Sequence, residues 1–263
     1  MQAFTSEKIT TNFTDDLPKY WNDNSPVKTH FFNSISLMFP GGEGFFIDSL
    51  NAVKDKITDE KLKRECTEFI AQESRHKSVH KQYNKWLEIH GYPVNRLENE
   101  MNENFKKIKK QFHPNFWMTL TSAQEHITVC MAEWFLRNPE ITVKMHPEFK
   151  KIWTWHAIEE VEHRAVAIET SNHLNIKTYF RLITFLLSIM FFVKLIRYMC
   201  ILLNHDKQLF KLKTIKDGIH FTLNFKNGLF IKSFKYWLRL FYKNYNPTNY
   251  NTDLLQSMVK PAN

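Results

Sequence analysis

Two short stretches of this chain repeat one spacing of a carboxylate and an imidazole: Glu73-Ser-Arg-His76 and Glu160-Val-Glu-His163. On an α-helix, side chains three residues apart lie about 60° apart around the axis and one turn along it, so both can reach one ion. One such pair arises by chance in many helical proteins. Two pairs on separate helices demand a scaffold that turns both helices toward a common interior. Composition agrees with a mostly helical chain. Six Gly and nine Pro among 263 residues leave little material for the tight turns of an all-β fold, while 23 Phe, nine Met and seven Trp supply a bulky core.

Start and stop signals divide the chain into four main helices. Apolar runs from Phe31 to Phe39 and from Phe45 to Val53 flank Pro40-Gly41-Gly42-Glu43-Gly44, which predicts a helix starting or bending at Pro40 and running to about Lys56. The second runs from about Thr58, a candidate cap, to His90, where Gly91 and Pro93 end it. A third begins near Pro114 and stops before Pro139, and a fourth begins at Pro147 and runs to about Asn172. A shorter helix from about Asn95 to Phe112 lies in the connection between the second and third. This order matches an all-α four-helix bundle with one long crossover and extra C-terminal helices. The expected organisation is a polar N-terminal segment at 1–27, a metal-binding bundle at 28–175, and a basic, aromatic-rich helical region at 176–263 packed on it.

The first and third helices each offer one glutamate in apolar surroundings: Glu43 amid Phe39, Phe45 and Phe46, and Glu125 within a run from Leu120 to Val129. One glutamate from each of two helices, plus E-x-x-H from each of the other two, is the dinuclear carboxylate pattern of ferritin-like bundles. Four carboxylates balance two divalent ions, whereas four unpaired carboxylates in a helical core would take up protons instead. His156 precedes Glu160 by four residues and His163 by seven, sharing their helical face, and is a candidate seventh ligand. His80, seven residues after Glu73, is its rival. Glu159 could replace or support Glu160, and His126, about 100° from Glu125, points away from the site.

Charge is divided unevenly. Residues 176–263 carry 14 Lys and Arg against three Asp and Glu, a net +11, while residues 1–175 carry 22 against 24. The C-terminal cations alternate with aromatic and aliphatic residues, a pattern that suits an anionic membrane surface better than nucleic acid. Residues 182–193 form the most apolar stretch; extension to Leu203 reaches the length of a membrane span only by including Lys194 and Arg197. A buried helix, a homodimer interface and a membrane-resting helix are the other readings. Cys66, Cys130 and Cys200 offer neither a disulfide framework nor a C-x-x-C site, and the first 30 residues lack a secretory pattern. The expected location is cytoplasmic, peripheral at the inner membrane face.

The run Phe39-Pro-Gly-Gly-Glu43-Gly-Phe-Phe, the Glu73-x-x-His76 helix and Trp155-His-Ala-Ile-Glu-Glu-Val-Glu-His163 resemble the bacterial family labelled predicted metal-dependent hydrolases, over about residues 28–250. The ordered set Glu43, Glu73, His76, Glu125, His156, Glu160 and His163 is also similar to the ligands of di-iron arylamine N-oxygenases, including the extra histidine. That second resemblance covers ligands only and implies metal and oxygen chemistry. The expectation is therefore a di-iron oxygenase or oxidase that uses dioxygen on a small apolar or amphipathic substrate. Iron is the expected metal, with manganese or zinc as alternatives. A two-metal hydrolase is the alternative function, and iron storage or detoxification a third.

Overall fold

The structure, a computed structural model, describes residues 9–176, 180–224, 226, 228–242 and 245–250. The ends of the N-terminal and C-terminal segments, and residues 177–179, 225, 227 and 243 of the tail expected to be helical, lie outside the described residues. The fold is all-α, with no strand among the described residues. Its helices are α1 (Pro26–Asn51), α2 (Glu60–Ile89), α3 (Val94–Gln111), α4 (Pro114–Arg137), α5 (Pro147–Glu162), α6 (Val166–His173), α7 (Phe180–His205), α8 (Leu212–Leu223) and α9 (Leu229–Trp237).

The helix ends follow local chemistry. Ser25 caps α1, with Pro26 in its first turn, and Asp59 rather than Thr58 caps α2 by accepting from the Leu62 amide. Thr58 instead donates to His173 Nε2 at the end of α6. At the other end of α2, Gly91 takes a φ of 86°, and the amides of Gly91 and Tyr92 donate back to the carbonyls of Glu88 and Leu87. This double closure needs a left-handed residue, which glycine adopts without steric cost.

Pro40 neither starts nor breaks α1, which runs through it as one helix. Proline has no amide proton, so the Ser36 carbonyl four residues earlier loses its helical donor. Asn84 of α2 replaces it, donating from Nδ2 to Ser36 O at 2.9 Å. The neighbouring helix thus repairs the defect that proline creates. The expected fourth helix, by contrast, is split: α5 ends at Glu162 with His163 as its cap, and α6 starts at Val166. Neither glycine nor proline marks the break. Arg164 in the gap donates to the Val161 carbonyl, freed at the end of α5, and to the carbonyls of Pro247 and Thr248.

Helix α1 lies at the centre, packed against α2, α3, α4, α7 and α8, while α4 joins α5, α6, α7 and α9. The C-terminal helices are tied down by specific polar contacts. Tyr198 of α7 donates to the Leu97 carbonyl, and Arg197 forms an ion pair with Glu100 of α3. Beyond α9, Arg239 pairs with buried Glu133 of α4. The segment Ile183–His205 is long and apolar enough to cross a membrane, with a mean hydropathy of 2.1.

If Asn84 repairs the proline defect, Asn84→Ala should lower stability by about 1–3 kcal/mol, the cost of a buried polar group left without its partner. The same change made in a Pro40→Ala background, where the helical bond is restored, should cost measurably less. Denaturant midpoints of the four proteins test this, and additive effects would exclude the coupling.

Candidate metal centre

Seven side chains from four helices meet in the interior. Glu43 comes from α1, Glu73 and His76 from α2, Glu125 from α4, His156 and Glu160 from α5, and His163 from its cap; each is at most 3% exposed. Glu73, His76, Glu160 and His163 offer ligand atoms that all lie within 4.8 Å of one another, and Glu43, His76 and His156 do the same. Glu125 joins through His163, whose Nδ1 lies 3.1 Å from Glu125 Oε2 while its Nε2 lies 3.3 Å from Glu73 Oε1. The residues named from the sequence therefore converge.

The outer contacts orient the rings. Glu159 does not replace Glu160. Its Oε2 sits 3.1 Å from His76 Nε2 without making a hydrogen bond, Trp155 Nε1 donates to its Oε1, and His76 Nδ1 faces Glu73 and Glu160 at 4.0 and 3.7 Å. His80 is not a rival ligand but stands behind His156, with 3.0 Å between His80 Nε2 and His156 Nδ1. The direction of that chain follows from Asn84. Its Nδ2 donates to the Ser36 carbonyl and to Glu98, so its Oδ1 must accept from Ser36 Oγ at 2.7 Å. Ser36 Oγ then accepts from His80 Nδ1 at 2.9 Å, and neutral His80 accepts at Nε2 from His156 Nδ1. That leaves the His156 Nε2 lone pair aimed at Glu160 Oε1, 3.1 Å away. Two acceptors facing each other at that distance need a proton or a metal ion between or beside them.

Orphaned polar atoms make the same point. Both oxygens of Glu43 and of Glu73, together with Glu125 Oε1 and Glu160 Oε2, are buried without a hydrogen-bond partner. Such atoms are costly in a protein interior unless an ion completes them. The donor set, four carboxylates and three imidazoles, fits two divalent ions. Aromatic rings close the site: Phe39 stacks on His156 with ring centres 4.6 Å apart, and Phe69 meets His163 edge-on. His126 lies apart, with Nδ1 2.7 Å from the Tyr245 hydroxyl.

Without an ion, the cluster must hold protons. Burial, reinforced by Glu160, drives the Glu43 and Glu73 carboxyls well above the usual range, and burial raises Glu125 to about 7. Burial also raises Glu159 to about 7 and pushes His76 well below an ordinary imidazole. For His163, burial works against the charge, but neighbouring Glu125 overcomes it and lifts the pKa to about 9. A folded-state pKa raised from 6.5 to about 9 adds stability that is fully present below 6.5 and lost as pH rises through 9. Chelator-treated protein should accordingly lose thermal stability between pH 7 and 9, as read by circular dichroism. A melting temperature that rises over that window would contradict the arrangement.

Ser36 and Asn84 are the site-supporting residues that sequence patterns missed. The one available signal was the carbonyl four residues before Pro40, which had to find a donor outside its own helix.

The fold and site thus define an all-α protein with a buried Glu/His cluster fitted to two metal ions. Residues 5–251 match the family described as predicted metal-dependent hydrolase, and the chain belongs to that family. No curated protein and no solved structure matches it. The family makes the protein a metal-dependent enzyme and overturns the expectation of a di-iron oxygenase or oxidase using dioxygen. That expectation rested on seven ligand positions, whereas the hydrolase match spans most of the chain. A carboxylate and imidazole shell around two ions serves hydrolysis as readily as oxidation, so ligand order alone does not choose between them.

Proposed function

We propose that the protein is a two-metal-dependent hydrolase. The observation that carries this reading is the set of buried, partnerless carboxylate oxygens pointing at one another from four helices, in a chain of the metal-dependent hydrolase family. Glu43, Glu73, His76, Glu125, His156, Glu160 and His163 would together hold the two ions. Bound there, divalent ions supply Lewis acidity, which lowers the pKa of water and stabilises a developing oxyanion. The chain's own residues do the positioning. The Asn84–Ser36–His80 chain keeps the His156 proton on Nδ1, Glu159 lies against His76 Nε2, and the Phe39 and Phe69 rings exclude bulk water. A glutamate-rich shell favours hard ions, iron or manganese, with zinc the softer candidate.

Elemental analysis of the purified protein should find about two divalent ions per chain, the stoichiometry of a dinuclear hydrolytic site. Glu43→Gln and Glu160→Ala should lower that occupancy. Glu159→Gln and His80→Ala leave every proposed ligand in place, yet should weaken metal affinity by about 10–100-fold, as expected for groups that orient ligands. Hydrolysis of small esters and phosphoesters should disappear on chelation and return on adding metal. If fully loaded protein turns over none of them, nor amides, the reading fails.

A further inference from the structure

An apolar cavity of about 360 Å³ lies between α4, α7 and α9, bordered by Ile127, Met131, Phe185, Ile189, Phe192 and Trp237. That volume falls in the range of small-ligand sites, about 300–1,000 Å³. Its few polar side chains are already engaged. Ser188 donates to the Thr184 carbonyl and accepts from Trp237 Nε1, and Ser233 donates to the Leu229 carbonyl. The cavity therefore has hydrocarbon to offer a ligand and little else.

Its inner and outer ends differ. Inward, Ile127 also lines a smaller cavity that is bordered by Glu43 and Glu160, so this side chain faces both the apolar space and the cavity at the metal centre. Outward, α7 exposes Leu186, Ile189, Met190, Val193 and Ile196 along a single stripe, with Met190 65% and Val193 61% exposed. Phe234 of α9 is exposed at the same rim, beside exposed Lys235. A helix that is apolar all round normally has both faces covered. Here the inner face is packed against protein and the outer one is bare. The net +11 of residues 176–263 disfavours pairing with a second copy of the same surface and favours an anionic one.

We infer that the substrate is an ester with a long acyl chain, taken from an anionic membrane, whose chain fills the α4–α7–α9 cavity while its ester group lies beyond Ile127 at Glu43 and Glu160. The bond cleaved rests on the hydrolase reading; the chain site does not. In the reaction, the oxygen of water bonds to the acyl carbon and the ester C–O bond breaks. The departing alcohol oxygen takes a proton from that water, and the fatty acid is released.

Chain binding is tested on the full-length protein, with and without metal, using the fluorescence of parinaric acid. The probe should bind in both states, be displaced by dodecanoate and not by acetate, and lose at least about tenfold in affinity in Ile189→Trp, since each buried methylene is worth about fourfold. Ile189 is half-exposed, so the variant should fold, and its far-ultraviolet spectrum verifies this. In turnover, a dodecanoyl ester should exceed the acetyl ester in kcat/KM, and Ile127→Trp should erase that advantage. Vesicles of phosphatidylglycerol should bind the protein where phosphatidylcholine does not, and Met190→Asp should weaken that binding. No parinaric acid binding, or binding indifferent to Ile189→Trp, overturns the chain site even if short esters are hydrolysed. Equal binding to both vesicle types overturns the anionic source. Chain binding that behaves as expected, with no ester turned over by metal-loaded protein, upholds the chain site and overturns the ester assignment; the hydrolase reading itself falls only if phosphoesters and amides are inert as well.

Discussion

The rest of this structure depends on the cost of burying carboxylates together. Burial raises the carboxyl pKa of Glu43, Glu73 and Glu125, and Glu160 adds to each, whereas Glu160, for which burial also works against the charge, is held below its ordinary value by His156 and His163. A helical core with hydrocarbon in these positions would be easier to fold. Keeping the acids inside is sensible only if cations complete them, and the oxygens left without partners define where those cations belong. The surrounding aromatic rings sharpen the requirement, because they deny the carboxylates the water that would otherwise relieve them.

Support for the site is threaded through the backbone itself. Pro40 removes one helical hydrogen bond from α1, and the carbonyl it frees fixes Asn84, whose amide orientation then dictates each donor and acceptor as far as His156. A defect in one helix thereby becomes a tautomer choice at the metal centre. On the opposite side, Glu159 lies 3.1 Å from His76 Nε2, with Trp155 holding its other oxygen. The amide-anchored chain thus directs the His156 Nε2 lone pair inward.

The C-terminal helices extend the same logic outward. Polar anchors at Tyr198, Arg197 and Arg239 fix α7 and the segment after α9 against the core, so the apolar face of α7 that remains bare is held in one orientation over α4. Ile127 borders both the apolar cavity under that face and the smaller cavity lined by Glu43 and Glu160.

Much of this was legible in the sequence because periodicity and punctuation are local. The two E-x-x-H pairs, the glutamates in apolar runs, the start of α4 at Pro114 and the end of α2 at Gly91 each follow from a few adjacent residues and the geometry of a helix turn. Long-range partners were not legible. That Asn84 would rescue the Ser36 carbonyl, that His80 would stand behind His156 rather than beside it, and that Glu159 would serve His76 are decided by how α1, α2 and α5 pack. The break at His163 to Ala165 has no local signal either, and Arg164 reaches carbonyls more than eighty residues away. Sequence alone determined which side chains could hold metal, since spacing fixes the face of a helix on which they lie. Tertiary structure decided which atoms face the ions and which stand behind them, because hydrogen-bond direction is set only when every donor and acceptor has found its neighbour.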